Sequence, residues 1–576
     1  MRLPACVALL ALLASCALPP AQAPHTPSAG TPIAATAHPL ATRAALGMLE
    51  RGGSATDAAV AAQMVLGLVE PQSSGIGGGA LAMHWDADKK QLSSLDGLAA
   101  APARVTAGLT VDVDGSRLDT ENMQRGGRSV GVPGALALLE TLHQRHGRLP
   151  WATLFEPAIT LAEGGFAMPR YLRDVLSAPG AARNHPDMAG LYFDAQGRVL
   201  PIGTLLRNPA YAKTLREIAA LGPQGWLRQG GAREFVAAAQ GGAKASLVTE
   251  ADLQSYRVQP REPLCAPFKR YRVCAMGPSS FGGVVVLQML QMLEQAATSF
   301  DFDDAEFVHR VVEAGRLAQA DRLRYVGDPG HATVPTAFLL APAYLNQRAA
   351  LIDAKRAMPE ARAGAVGNAT SGWLSDRAEH AAATSQIAIV DARGNALSIT
   401  TTINLNFGSR LMAGGYVLNN AMTNFSDPPP PGQQQANQMA AAKRPVSSMA
   451  PTIVFDEHGA PVVVGGSAGG GQIVDYIAQS LIEMLAHGRT PAQALARGHV
   501  STAVEGSVQL ERGSSMAAHA QALRALGHRV DVVQMRSGLA FVKRSGDGWI
   551  GAADPRRDGS ALSATKVVAG VASAGR

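Results

Sequence analysis

Thr384-Ser385-Gln386-Ile387-Ala388-Ile389-Val390-Asp391 is the stretch on which the fold turns. It alternates at first and then runs apolar, the pattern of a strand that ends buried on both faces. Asp391-Ala392-Arg393-Gly394-Asn395 reads as a turn, and Ala396–Ile403 as the returning strand. Upstream, 358–383 is rich in Ala, Gly, Ser and Asn, with weak helical periodicity, and reads as an exposed connector. A threonine therefore stands at the seam between a loose segment and a strand. A hydroxyl is a poor nucleophile unless a base is close. A cut before Thr384 would expose an α-amine with an ordinary pKa of about 8, held beside its own Oγ. One residue would then supply nucleophile and base. Local sequence alone leaves such a threonine an ordinary strand residue.

Working outward, Ala55–Leu68 is Ala-rich with three- and four-residue apolar spacing and reads as a helix capped by Ser54 or Thr56. The cluster Ser74-Gly75-Ile76-Gly77-Gly78-Gly79 leads into a strand over Ala80–Trp85. Further helices fit 133–165, 209–220, 283–295 and 304–325. Ile453–Phe455 and Pro461–Val464 read as a strand pair, Gly465–Gly471 as a glycine-rich turn, and Gln472–His487 as a helix. Helix-rich sequence precedes strand-rich sequence, which points to helices layered over sheets and not to a regular βαβ winding. Gly465-Gly466-Ser467-Ala468-Gly469 matches a nucleophile elbow. As its acid and base, Asp531 and His528 stand in the wrong order, Asp475 with a later histidine is unsupported, and the upstream chain lacks the alternating βα units that fold needs.

At 576 residues the chain can hold one large enzyme with a continuous core. A net charge of +6 is thin for this length, and no basic run carries interleaved aromatics, which argues against nucleic-acid binding. Residues 1–16 read as a lipoprotein-type signal peptide: Arg2, a short apolar run over Val7–Ala14, then Leu13-Ala14-Ser15-Cys16, with Cys16 the lipidated residue. Cleavage after Ala21-Gln22-Ala23 is the alternative. Residues 17–35 form a flexible tether, and the protein is expected to be exported to the periplasm and anchored to the membrane through lipid. Cys265 and Cys274 flank a turn and read either as a cross-strand disulfide or as two buried thiols. No Cys/His group has metal-ligand spacing, and no cofactor is implied.

Several ordered motifs carry a resemblance. They are Arg51-Gly52-Gly53-Ser54-Ala55-Thr56-Asp57-Ala58-Ala59-Val60-Ala61, the 75–79 cluster, Gly131-Val132-Pro133-Gly134, Pro278-Ser279-Ser280-Phe281-Gly282-Gly283 and Ala320-Asp321-Arg322-Leu323-Arg324-Tyr325-Val326-Gly327-Asp328-Pro329. Thr384–Asp391, Arg444-Pro445-Val446-Ser447-Ser448-Met449-Ala450-Pro451-Thr452, Gly466-Ser467-Ala468-Gly469-Gly470 and Asp554-Pro555-Arg556 follow. From about Thr36 to Thr565 the chain resembles the gamma-glutamyltransferase (glutathione hydrolase) family. The resemblance implies an α/β (α+β) fold, the αββα four-layer sandwich of the N-terminal nucleophile hydrolases. It implies a precursor cut between Ala383 and Thr384 into a large subunit, 36–383, and an intertwined small catalytic subunit, 384–576. Residue by residue, it makes Thr384 the nucleophile, Thr402 the hydroxyl that bonds it and aids maturation, and Gly469 and Gly470 the oxyanion donors. Asn404 and Asn424 match substrate-binding positions, and Ser447 and Ser448 the hydroxyls that bind a glutamyl α-carboxylate.

The chain departs from the family where a glutamyl head is read. Leu98 stands in Asp96-Gly97-Leu98-Ala99-Ala100-Ala101-Pro102 where the family has arginine, and Ala99 where it has glutamate. In Asn419-Asn420-Ala421-Met422-Thr423-Asn424, Ala421 replaces a glutamine and Asn424 an aspartate. Charge-assisted bonds are worth roughly 1.5–3 kcal/mol each, so losing both ionic contacts weakens the grip on a zwitterionic γ-glutamyl donor. Arg410 is a candidate substitute. The lid 427–443 has no aromatic residue, which suggests an open pocket. Three readings follow: an enzyme attacking glutathione-like γ-glutamyl amides, with water or an amine as acceptor; a cephalosporin-acylase-type enzyme for a non-zwitterionic acyl amide; and an uncleaved, non-enzymatic binding protein.

Overall fold

The computed structural model describes residues 30–106, 109, 124–178, 186–241, 245–367, 373–375, 383–502 and 506–564. The signal segment, Cys16 and most of the tether lie outside them. Among the described residues, thirteen strands build the two main sheets. They are β1 (Ile33–Thr36), β2 (Gly79–Asp86), β3 (Gln91–Gly97), β4 (Gln259–Arg261), β5 (Leu264–Phe268), β6 (Tyr271–Ala275), β7 (Ala383–Val390), β8 (Ala396–Asn404), β9 (Thr452–Phe455), β10 (Pro461–Gly466), β11 (Ala540–Ser545), β12 (Gly548–Ala553) and β13 (Ser560–Ser563). The first sheet runs β13-β1-β7-β8-β2-β3-β4, and the second β12-β11-β10-β9-β6-β5. Helices α1 (Pro39–Glu50) and α2 (Ala55–Val69) cover the outer face of the first sheet, and α3 (Gly282–Ala296), α4 (Ala305–Tyr325) and α5 (Ile473–Ala486) that of the second. The result is the αββα sandwich.

The side-chain alternation of β7 explains why this strand is central. Ile387 and Ile389 pack with the α1/α2 layer, while Ala388 and Val390 face the other sheet in the core with Ile453, Val464 and Val542. Thr384 and Gln386 share the parity of Ala388, so they point between the sheets. There Gln386 forms a polar bridge. Its Oε1 accepts from Thr400 Oγ1 at 2.6 Å, its Nε2 donates to Ser398 Oγ at 2.9 Å, and Ser398 Oγ donates to the Gly465 carbonyl at 2.8 Å. These bonds fix the end of β10 over the start of β7.

Other expectations are settled or corrected by packing. Ser54, not Thr56, caps α2, in a capping box with Asp57. β10 runs through Gly466, so the glycine turn begins later than its composition suggests. Cys265 and Cys274 face each other across β5 and β6 and are joined as a disulfide. The described part of the connector is not uniformly exposed. The buried carboxylates of Glu313 and Asp321 on α4 need donors, and the backbone N–H groups of Met358 (2.8 Å) and Gly364 (2.9 Å) supply them.

A Cβ at Gly466 would lie 2.7 Å from Gln386 Oε1. Gly466→Ala is expected to displace Gln386 and destabilise the fold by about 1–3 kcal/mol. Urea denaturation checks this, and an unchanged midpoint would show that Gln386 does not hold the sheets in register.

Candidate active site

The start of β7, the end of β8 and the start of β2 meet at one end of the sandwich. In β8 the register with β7 shifts between Thr401 and Asn404, while Thr402 stays opposite Gly79 of β2. Such a bulge re-aims side chains. Asn404 takes a positive φ of 81°, a conformation asparagine tolerates better than most residues. The Thr402 hydroxyl is thereby turned onto the Ala383 carbonyl, donating to it at 2.5 Å. Thr384 Oγ1 donates to the same carbonyl at 2.5 Å and lies 3.5 Å from Thr402 Oγ1. The Asn404 N–H donates to Thr402 Oγ1 at 2.8 Å and fixes its orientation. In this uncut chain, the peptide carbonyl before Thr384 is polarised by one hydroxyl and approached by a second.

A small, largely enclosed hollow adjoins this carbonyl. Gly79, Leu98, Thr402, Asn404, Ala421, Asn424, Val446 and Ser447 line it. Leu98 and Ala421 are buried there, so the substituted positions do face the hollow. The segment expected to leave it open is pinned by the buried Asn437, which donates to the Asn424 carbonyl at 2.8 Å and accepts from the Val446 N–H at 3.1 Å. Hydrogen bonds close this border where an aromatic is missing. Arg410 is not among the lining residues.

The remaining sequence-derived positions divide. Ser447 lines the hollow, with its carbonyl held by Ser280 Oγ and the Phe281 N–H, both at 2.8 Å. Ser448 Oγ instead donates to the Gly470 carbonyl at 2.7 Å and ties the serine loop to the glycine turn. Gly469 adopts φ 138°, and a Cβ there would meet the Tyr476 ring at 2.6 Å. Ser467 Oγ donates to the adjacent Ala468 carbonyl and is fully buried, so the elbow reading has no exposed nucleophile. Elsewhere the fold gathers His309, Glu313 and His528, but His309 Nδ1 bonds His528 Nε2 at 2.7 Å and His309 Nε2 bonds the Asp353 carbonyl. Three of the four ring nitrogens are thereby engaged, and His528 Nδ1 lies 3.9 Å from Glu313 Oε1.

Two groups near Thr384 were not legible beforehand. Arg557 donates from Nη1 to the Thr384 carbonyl at 2.8 Å. On the opposite face of β7, Ser385 Oγ donates to Glu70 Oε2 at 2.6 Å and bonds Ser74 Oγ at 3.0 Å. Burial pushes the Glu70 carboxyl up to about 7, against the opposing pull of Arg557 and Ser385. Both groups lie far from Thr384 in sequence and reach it only through tertiary packing. A glutamate before a proline in Glu70-Pro71 offers no signal of its own.

The sandwich, with a threonine hydroxyl set against the preceding carbonyl, defines an enzyme of the N-terminal nucleophile hydrolase class. A family model described as gamma-glutamyltranspeptidase matches residues 41–564, and the chain belongs to that family. It is 31% identical to a glutathione hydrolase proenzyme of Bacillus subtilis over 92% of this chain and 91% of that one. It is 34% identical to an acylase ACY 1 proenzyme of a Pseudomonas species over 94% of each. The crystal structure of cephalosporin acylase from Bacillus halodurans superposes with a TM-score of 0.79, at 26% identity over 96% of this chain and 99% of that one.

Glu70 ionises near 4.5 when exposed and near 7 in the fold. Between those values the folded chain holds the extra proton, so stability falls as pH rises through this window. Glu70→Gln should match the parent at pH 4.5 and exceed it above pH 7.5, by on the order of 2–3 kcal/mol. Thermal melts from pH 4.5 to 8 measure this, and parallel profiles for the two proteins would refute the burial argument.

Proposed function

We propose that Thr384 first cuts its own chain and then serves as the nucleophile of an amidase and acyltransferase for γ-glutamyl-type amides. The observation that carries this reading is the pair of hydroxyls, Thr384 and Thr402, each 2.5 Å from the Ala383 carbonyl oxygen. Thr384 Oγ adds to the Ala383 carbonyl carbon, and Thr402 steadies the charge that develops on oxygen. The C–N bond breaks, the nitrogen takes a proton, and an ester joins Ala383 to Thr384 Oγ. Water releases a large subunit ending at Ala383 and a small subunit beginning at Thr384. The freed amine then takes the Oγ proton during attack on an external amide. Gly469 and Gly470 donate to the oxyanion, the leaving amine departs protonated, and water or an amine resolves the acyl-enzyme.

Asn404, Asn424 and Ser447 orient the acyl group, and Ser448 supports the glycine turn. A second reading, an acylase for a less charged acyl group, is favoured by Leu98 and Ala421 in the lining of the hollow. The uncleaved binding protein is disfavoured by a carbonyl already held for attack. We further propose export with a lipid on Cys16.

Thr384→Ala should run as one uncut band on denaturing electrophoresis, while the parent gives two. Thr402→Ala should slow self-cleavage about 10²–10³-fold, the usual effect of losing one donor to an oxyanion. A parent that stays uncut would reject the scheme. Matched γ-glutamyl and glutaryl anilides separate the two substrate readings by kcat/KM, and a clear excess on the glutaryl compound would favour the acylase. Radiolabelled fatty acid should enter the parent but not Cys16→Ala.

A further inference from the structure

Cleavage removes everything that restrains Thr384 from upstream. The ladder gives little replacement, because the bulge in β8 leaves Thr384 without a partner: Ser385 pairs with Thr401, and Ala383 with Asn404. On the other side, β1 reaches only as far as Ile387. The Thr384 carbonyl is held instead by a side chain from beyond β12, Arg557, at 2.8 Å.

Arg557 is only 3% exposed. Its Nη2 donates to the Arg536 carbonyl at 3.1 Å, and its guanidinium lies 4.6 Å from the Tyr171 ring. It also passes against Gly538, where a Cβ would come within 3.0 Å of its Cζ. Gly538 exchanges two backbone hydrogen bonds with Ala468, the neighbour of Gly469. One buried cation therefore touches both the nucleophile residue and the segment before β11 that is hydrogen-bonded to the glycine turn.

We propose that Arg557 is the positioning residue of the freed N-terminus: it anchors Thr384 by its carbonyl, and its charge keeps the α-amine in the free-base form that accepts the Oγ proton. This rests on the reading of Thr384 given above. Covalent geometry puts a guanidinium bonded to the Thr384 carbonyl within about 6 Å of the same residue's nitrogen. A cation at that range disfavours the ammonium form. The other charged and titratable groups around it are Glu70 at the end of α2, Asp558 in the same turn, Tyr171, and Arg536. Asp558 is ion-paired with Arg170 at 3.4 Å, and Glu70 is only partly ionised at neutrality. The charge of Arg557 is thus incompletely offset where the amine forms.

The experiment is the pH profile of kcat for the cleaved parent, Arg557→Met and Arg557→Lys. The methionine variant should move the acid limb to higher pH by about one unit. The lysine variant should keep the limb in place while kcat falls roughly 10–100-fold, because a compact ammonium cannot hold both carbonyls in the guanidinium's geometry. A cleaved methionine variant with an unmoved limb overturns the inference. If that variant stays uncut, the lysine variant decides alone: a limb displaced by a full unit overturns the inference, and a slowed enzyme with an unmoved limb supports it. A parent that is itself uncut or inactive overturns the reading of Thr384, and this inference with it.

Discussion

The bulge in β8 between Thr401 and Asn404 is the constraint on which the site depends. A regular ladder would leave Thr402 as one more side chain facing the second sheet. The register shift turns its hydroxyl onto the Ala383 carbonyl instead, and the positive φ of Asn404 sets the N–H that orients that hydroxyl. The rigidity comes from below. Gln386, Ser398 and Thr400 bind the sheets together two residues further along the same face, and Gly466 leaves the room they need. A slip between the sheets would shift the start of β7, which carries Thr384, against the end of β10, which leads into the glycine turn. The polar bridge opposes that slip together with the apolar contacts of Ala388 and Val390 with Ile453, Val464 and Val542.

Much of this was legible in sequence, for identifiable reasons. The strand at 384–391, its partner at 396–403 and the helices at 55, 283 and 304 announce themselves through period and capping, which are local properties. The candidate nucleophile needed more. Nothing local distinguishes Thr384 from other threonines at strand starts, and only the ordered motifs of the family singled it out. Arg557, Glu70 and Asn437 stayed hidden because each acts through a partner reached by folding. Glu70 meets Ser385 across 315 positions, and Arg557 meets Thr384 across 173. Ser448 shows the opposite failure: its motif is plain, but its hydroxyl supports Gly470.

The substrate side of the site is decided by charge balance behind the hollow. Asp96, two residues before Leu98, and Asp328, which accepts from the Arg444 N–H, are buried carboxylates. Arg261 bonds both, at 3.0 Å and 2.9 Å, and Arg444 lies 3.2 Å from Asp96. Ser279 Oγ and the Leu98 N–H complete the shell of Asp96. Two guanidinium groups therefore face two carboxylates, with the buried Lys443 and the more exposed His331 also beside Asp328, and every negative charge in the cluster is matched. Buried ions in such a set are costly to leave unpaired, so neither arginine is available to turn toward a ligand. The cluster also ties 96–98, 261 and 328 to 444, across the bond at which the chain would be cut, and so holds both halves of the pocket wall together.

With those arginines committed, Leu98 is more than the loss of one contact. A family arginine at this position would add a cation to a balanced cluster at the edge of the hollow, able to meet a carboxylate. Leucine removes the cation and presents methyl groups to the same space. Ala421 and Asn424 make the matching change opposite, where no carboxylate remains to meet an ammonium group. The two departures run in one direction: neither a cation nor a carboxylate side chain is among the described residues that line the hollow. What remains in the lining to orient a substrate is amide and hydroxyl, from Asn404, Asn424 and Ser447, set against a wall of Leu98, Ala421 and Val446. On the proposed reading of Thr384, such a wall would favour an acyl group held by shape and neutral hydrogen bonds.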